Sequence, residues 1–171
     1  MKISIEEKNR LESIYQSFLN DPKILRMKEI PMHRGSNCYE HSFKVAKKAV
    51  KYAINFPKKN INYERVLIAA ILHDYYLYDW RVDKSKRKRH GVKHQYIAAE
   101  NALKDFDISP EVRDIIHSHM WPLNIKEYPK TREAKIVSLC DKAVAIRESL
   151  TCKRHKNKKR PIYLKHISTL F

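Results

Sequence analysis

The stretch AAILHDYY, residues 69–76, carries an apolar run straight into His73 and Asp74. An imidazole and a carboxylate side by side at the end of a buried helix need a reason. Two more ionisable residues stand where helical periodicity calls for apolar ones. His41 shares a face with Val45 and Ala49, and Asp141 lies four after Val137 and three before Val144. A carboxylate taken from water is costly unless a cation or strong donors compensate it. Each residue alone is compatible with an ordinary core hydrogen bond or ion pair. Four of them on three separate helices are explained together by one shared divalent cation, held by two imidazoles and two carboxylates.

Two further histidines fit the same chemistry. His119 lies four after Ile115 and seven after Val112, on the apolar face of its helix, whereas His117 falls with Arg113 and Asp114 on the charged face. Helix phase therefore turns His119 inward. His94 opens a helix and shares the face of Ile97 and Ala98, while His90, after KRKR and before Gly91, reads as a loop residue. His33, His155 and His166 have no such context and read as surface or loop residues.

The elements that must position these residues are helical. Residues 4–20 form an amphipathic helix with Ile5, Leu11, Ile14, Tyr15 and Phe18 on one face, ended by Asn20-Asp21-Pro22. A short helix or turn reaches Met27, and 28–37 is a loop. The next helix runs from Cys38 to Phe56 and is stopped by Pro57. Asn62 caps a helix reaching about Tyr76, whose VLIAAIL is apolar all round and therefore central. Residues 79–93 form a polar connection with five Lys or Arg within 84–89. A helix from His94 to about Asp105 follows, then one capped by Ser109 with Pro110 at its first position and closed by Trp121-Pro122. Thr131 to about Leu150 is the last long helix. After the basic run CKRHKNKKR, residues Leu164, Ile167, Leu170 and Phe171 suggest a short helix docking back.

Composition agrees. Of 171 residues 43% are hydrophobic, enough for a core, and only two are glycine, Gly35 and Gly91. Glycine-loop nucleotide motifs are thereby excluded, and an all-α fold is favoured. The expectation is a compact helical bundle, one domain over 1–171: a core at about 35–150, an N-terminal helical segment at 1–34 and a basic C-terminal extension at 151–171. Three cysteines without CxxC spacing argue against a disulfide framework or thiolate zinc site, and Cys38 and Cys140 read as small apolar residues. No apolar stretch has the roughly 20 residues that span a bilayer, and the N-terminus turns charged at once, so no membrane association and a cytoplasmic location are expected. The net charge of +17 favours anionic partners, a phosphorylated small molecule first and nucleic acid second.

The ordered set His41, His73-Asp74, Asp141 on helices of an all-α domain resembles the HD superfamily of metal-dependent phosphohydrolases. The segments HDYYLYDW, HGVKHQYIAAENA, IIHSHMWPL and REAKIVSLCDKA look like a small bacterial subgroup of predicted phosphohydrolases. The resemblance covers roughly residues 35–145. It implies that His41, His73, Asp74 and Asp141 form the ligand set of a one-metal site. His94 and His119 stand where the two-metal members carry their extra histidines, which implies a possible binuclear site bridged by Asp74.

The resemblance implies hydrolysis of a phosphorylated small molecule, nucleotides foremost, by attack of metal-activated water on phosphorus, with Asp74 bridging or orienting the water. Imidazole and carboxylate donors suit Fe, Mn, Co, Ni or Zn better than Mg. Arg34, Lys93 and Lys142 are candidate phosphate-binding cations. Two other readings stay open: an HD-type di-iron oxygenase built from the same six ligands, and a basic nucleic-acid-binding protein with a structural metal.

Overall fold

The computed structural model describes residues 3–32, 36–55, 60–154 and 167–171. Among them every element is helical, apart from an isolated bridge between Pro31 and Asn37. Helix α1 spans Ile5–Leu19. The Ser4 hydroxyl accepts the Glu7 N–H at 3.0 Å, and Glu6 and Glu7 fill the first turn. Leu11 and Tyr15 are buried, but Ile5, expected on the same face, is 79% exposed because the first turn precedes contact with the core. Asp21 caps α2, Pro22–Leu25, which tightens into a 3₁₀ turn over Arg26–Glu29.

Helix α3 spans Cys38–Asn55 and buries His41, Val45, Ala49 and Ala53 along one face. Phe56, the expected last residue, lies outside the described residues. Helix α4, Tyr63–Leu72, starts where the Asn62 side chain accepts the Arg65 N–H at 3.0 Å. It packs against α1, α3, α6, α7 and α8, which explains why VLIAAIL has no polar face. The helix ends at Leu72 rather than Tyr76. His73 is its cap residue, and Leu77 adopts a left-handed φ of 55° that turns the chain away. Tyr75 and Tyr76 are therefore buried in a non-helical segment: the Tyr75 hydroxyl donates to Asp105, and Tyr76 meets Cys38 Sγ at 3.1 Å and donates to Met32 Sδ.

The polar connection over 79–93 is not structureless. Asp83 caps a single turn, α5, Lys84–Arg87, and α6 begins at His90, four residues before the expected start, and runs to Phe106. Gly91 sits in that first turn with open space where a side chain would be, so it does not interrupt the helix. Helix α7, Pro110–Ser118, has the expected Ser109 cap and proline start. Helix α8, Arg132–Arg154, passes the expected end at Leu150 and packs against α3, α4 and α7.

The last five residues dock without forming a helix. The Tyr15 hydroxyl donates to Ile167 O at 2.7 Å, the Gln16 amide donates to Ser168 O at 2.7 Å, and Leu170 N–H donates to Glu12 at 3.0 Å. Ile167 and Leu170 are buried and Phe171 is half-exposed; Leu164 lies outside the described residues. Among the described residues no helix is long and apolar enough to cross a membrane.

Candidate metal centre

Five helices bring the six singled-out residues to one buried point. His41 comes from the first turn of α3, His94 from the second turn of α6 and Asp141 from the middle of α8. His73 and His119 are the residues directly after α4 and α7, and Asp74 follows His73. All six are buried, none more than 8% exposed.

Asp74 divides the cluster. Its Oδ2 faces one side, 3.2 Å from His73 Nε2 and 3.9 Å from His41 Nε2. Its Oδ1 faces the other, 3.2 Å from His94 Nε2 and 3.8 Å from His119 Nε2. Asp141 Oδ1 lies 3.1 Å from His41 Nε2 and 3.6 Å from His73 Nε2. Groups sharing donor atoms within 4.8 Å of one another include His41, His73 and Asp74 on the first side, and Asp74, His94 and His119 on the second.

The tautomers are set by the backbone. His73 Nδ1 lies 2.9 Å from Ala70 O, His94 Nδ1 2.8 Å from His90 O, and His119 Nδ1 2.7 Å from Ile116 O. A carbonyl only accepts, so Nδ1 carries the proton in each ring and Nε2 presents a lone pair in the neutral form. Those lone pairs all point into the cluster. His73 Nε2 is buried with no hydrogen-bond partner, and the Nε2 atoms of His94 and His119 face each other at 3.1 Å. Converging imidazole lone pairs and two buried carboxylates suit a divalent cation of the imidazole-binding kind.

Burial and the neighbouring charges together set the electrostatics of the cluster. Burial alone would push the carboxyls of Asp74 and Asp141 up. The His73 imidazole beside Asp74, and those of His41 and His73 beside Asp141, hold both well below the usual range. Against the opposing effect of burial, Asp141 and Glu148 raise His41 to about 9, and Asp74 with Asp141 raises His73 to about 10. Burial, aided by His73 and His94, lowers His119 to about 3 and keeps it neutral.

His94 and His119 enter the cluster, and His117 stays half-buried on the outside, against the Tyr96 ring. His90, read as a loop residue, instead lies in α6, stacked between Trp80 and His94 with ring centroids 5.1 and 4.7 Å away. Its Nδ1 is 2.9 Å from the Tyr78 hydroxyl, and burial together with His94 lowers it to about 4. Of the candidate phosphate cations, Lys142 stands at the rim. Its Nζ donates to His119 O at 2.5 Å and lies 3.5 Å from Asp141 Oδ2. Lys93 is exposed on α6, and Arg34 and His33 lie outside the described residues, as do His155 and His166.

The sequence reading missed Glu148. Its Oε2 lies 3.0 Å from His41 Nδ1, its Oε1 accepts from Lys44 Nζ at 2.7 Å, and the Ser36 hydroxyl donates to it at 3.3 Å. The signal was present: Glu148 falls two turns after Asp141 and four residues after Val144, on the face already identified as buried.

No curated protein and no solved structure matches the chain. The family model of the HD domain matches residues 38–146, a segment that contains all six clustered residues. Those side chains stand in the order from which the resemblance was read, within helices or directly after them, and with nearly two thirds of the sequence matched, the chain belongs to the HD domain family, a family of metal-dependent phosphohydrolases.

Proposed function

We propose that the protein hydrolyses a phosphorylated small molecule, a nucleotide foremost, at a two-metal centre held by His41, His73, Asp74, His94, His119 and Asp141. The observation that carries this reading is the backbone-fixed orientation of three imidazoles, which turns the Nε2 atoms of His73, His94 and His119 onto the two oxygens of a single carboxylate, Asp74. A divalent metal in such a site acidifies bound water and neutralises phosphate oxygens. The protein's own residues supply the rest. Asp74, with one oxygen toward each half, would help to hold both ions and would orient water. The near-complete burial of the six side chains limits competing solvent. Lys142 at the rim carries a positive charge to where a phosphate would enter, and Lys93 and Arg34 are further candidates. The partly exposed Trp80, stacked on His90, supports a substrate that bears a base. Fe, Mn, Co, Ni or Zn fits the donor set.

The net charge of +17 favours a second reading, an oligonucleotide or RNA ligand for the same basic protein. Salt-sensitive RNA binding that survives His73→Ala and Asp74→Ala would favour it over catalysis at this site.

The test is metal analysis of the purified protein with a phosphatase and phosphodiesterase screen in Mn, Co and Ni. The expected result is about two metals per chain, as in two-metal hydrolases, and activity lost in Asp74→Ala. Less than one metal per chain together with no hydrolysis of any phosphate ester would overturn the reading.

A further inference from the structure

We infer that Glu148 is a positioning residue for one half of the metal centre and makes the two metal positions unequal; the inference rests on the two-metal reading above. The four histidines are not treated alike. His73, His94 and His119 each give Nδ1–H to a neutral carbonyl of their own chain segment, Ala70, His90 and Ile116. His41 alone meets a carboxylate at Nδ1, Glu148 Oε2 at 3.0 Å, while its Nε2 faces Asp141 and Asp74. A carboxylate behind a ligand imidazole fixes the ring, selects the Nδ1–H tautomer and makes Nε2 a stronger donor than a carbonyl does.

Glu148 is itself held in place. Lys44, one turn along α3 from His41, donates to its second oxygen at 2.7 Å, and Ser36 donates to the first at 3.3 Å. The arrangement ties α8 to the start of α3 and leaves both carboxylate oxygens engaged, so the side chain has one geometry rather than several. Both Ser36 and Glu148 fall outside residues 38–146, the segment matched by the HD domain. The device joins His41 and Lys44 of the matched segment to two residues of its flanks.

The consequence concerns metal affinity. The position served by His41, His73 and Asp74 has a carboxylate-backed ligand, and the position served by Asp74, His94 and His119 has none. The first should therefore fill at lower metal concentration.

The test is equilibrium dialysis of the full chain against Co(II), with visible absorption spectra, for wild type, Glu148→Gln, His94→Ala and His94→Ala/Glu148→Gln. Glutamine keeps the shape and removes the charge. The expected result is that Glu148→Gln weakens one of two equivalents by about tenfold or more, the size typical of such outer partners, and leaves the other within about twofold. In the His94→Ala background, where the His41 side remains, the surviving equivalent should weaken by the same factor, with its spectrum altered. Two unaffected equivalents, or two weakened alike, would overturn the inference. Should Glu148→Gln not fold, Glu148→Asp, which withdraws the charge by one methylene, carries the same test: severalfold weakening of the His41-side equivalent supports the role, and unchanged binding removes it. Failure of the underlying reading looks different, because wild type itself would then bind no Co(II).

Discussion

His94 Nε2 and His119 Nε2 face each other across 3.1 Å, although each ring spends its Nδ1 proton on a backbone carbonyl. Two lone pairs at hydrogen-bond distance repel unless a proton or a metal lies between or beside them. Asp74 Oδ1, 3.2 Å from one and 3.8 Å from the other, completes a donor set for that cation.

Removing one of these rings should therefore remove metal rather than unfold the protein. His119→Ala is expected to lower metal content from about two to about one per chain. His117→Ala, two residues away against Tyr96, should leave it unchanged. Metal analysis of the two variants side by side checks this, and the reverse order would overturn the assignment of His119.

Chelation should lower the melting temperature. A ligand present at about 100 times its dissociation constant adds about 2.7 kcal/mol to a fold that binds it, which corresponds to several degrees for a chain of this size. Differential scanning calorimetry with EDTA and then with Mn(II) in excess measures it. No recovery on adding any of Mn, Co, Ni or Zn would argue against the centre.

The metal-free protein should respond to alkali in a particular direction. His41 and His73 are raised from 6.5 to about 9 and about 10, chiefly by Asp141 and Glu148 for the first and by Asp74 for the second, against burial. Groups raised on folding stabilise while protonated. Their contribution is full below 6.5 and is lost as pH rises through the folded values. Metal-free protein should thus melt at progressively lower temperature between about pH 7 and pH 10, and bound metal should flatten the profile by occupying the protons' place. Melting curves across that range, with and without Mn(II), provide the check.

Leu72→Ala should couple stability to the site. Leu72 is fully buried and is the last residue of α4, next to His73. The truncation should cost about 2–5 kcal/mol by denaturant unfolding. It should also weaken metal binding by loosening the turn that aims His73 and Asp74. Unchanged metal affinity at reduced stability would show that the turn holds itself.

Tyr15→Phe probes the C-terminal clasp. The hydroxyl donates to Ile167 O at 2.7 Å in a buried setting. Its loss should cost about 1 kcal/mol and accelerate amide exchange at Leu170, whose N–H donates to Glu12.

Much of this is legible in the sequence alone. The apolar belt of VLIAAIL, the Asn62 and Ser109 caps and the phase of His119 against His117 are local properties, and the structure keeps them. What escaped depends on tertiary partners. The end of α4 at Leu72 has no breaker residue; it is set by His73 and by the left-handed turn at Leu77. His90 looked like a loop residue because the basic run and Gly91 surround it, yet stacking on Trp80 and His94 recruits it into α6. Glu148 lies four residues before the basic run that starts at Cys152 and carries no sequence mark of its partner. Only the approach of α3 to α8 reveals its contact with His41. The C-terminal residues dock through backbone carbonyls and amides, which leave no mark on side-chain periodicity.

His73 and His119 both occupy the residue just past a helix, and each bonds the carbonyl three residues earlier, at Ala70 and Ile116. Helices α4 and α7 therefore both end at the cluster. The peptide units of a helix sum to about half a negative charge at its C-terminal end. Two such ends give the site a cation-attracting field before any carboxylate is counted. Asp74→Asn or Asp141→Asn would consequently leave a centre that is still electronegative, one in which a divalent ion is weakened and redirected rather than expelled.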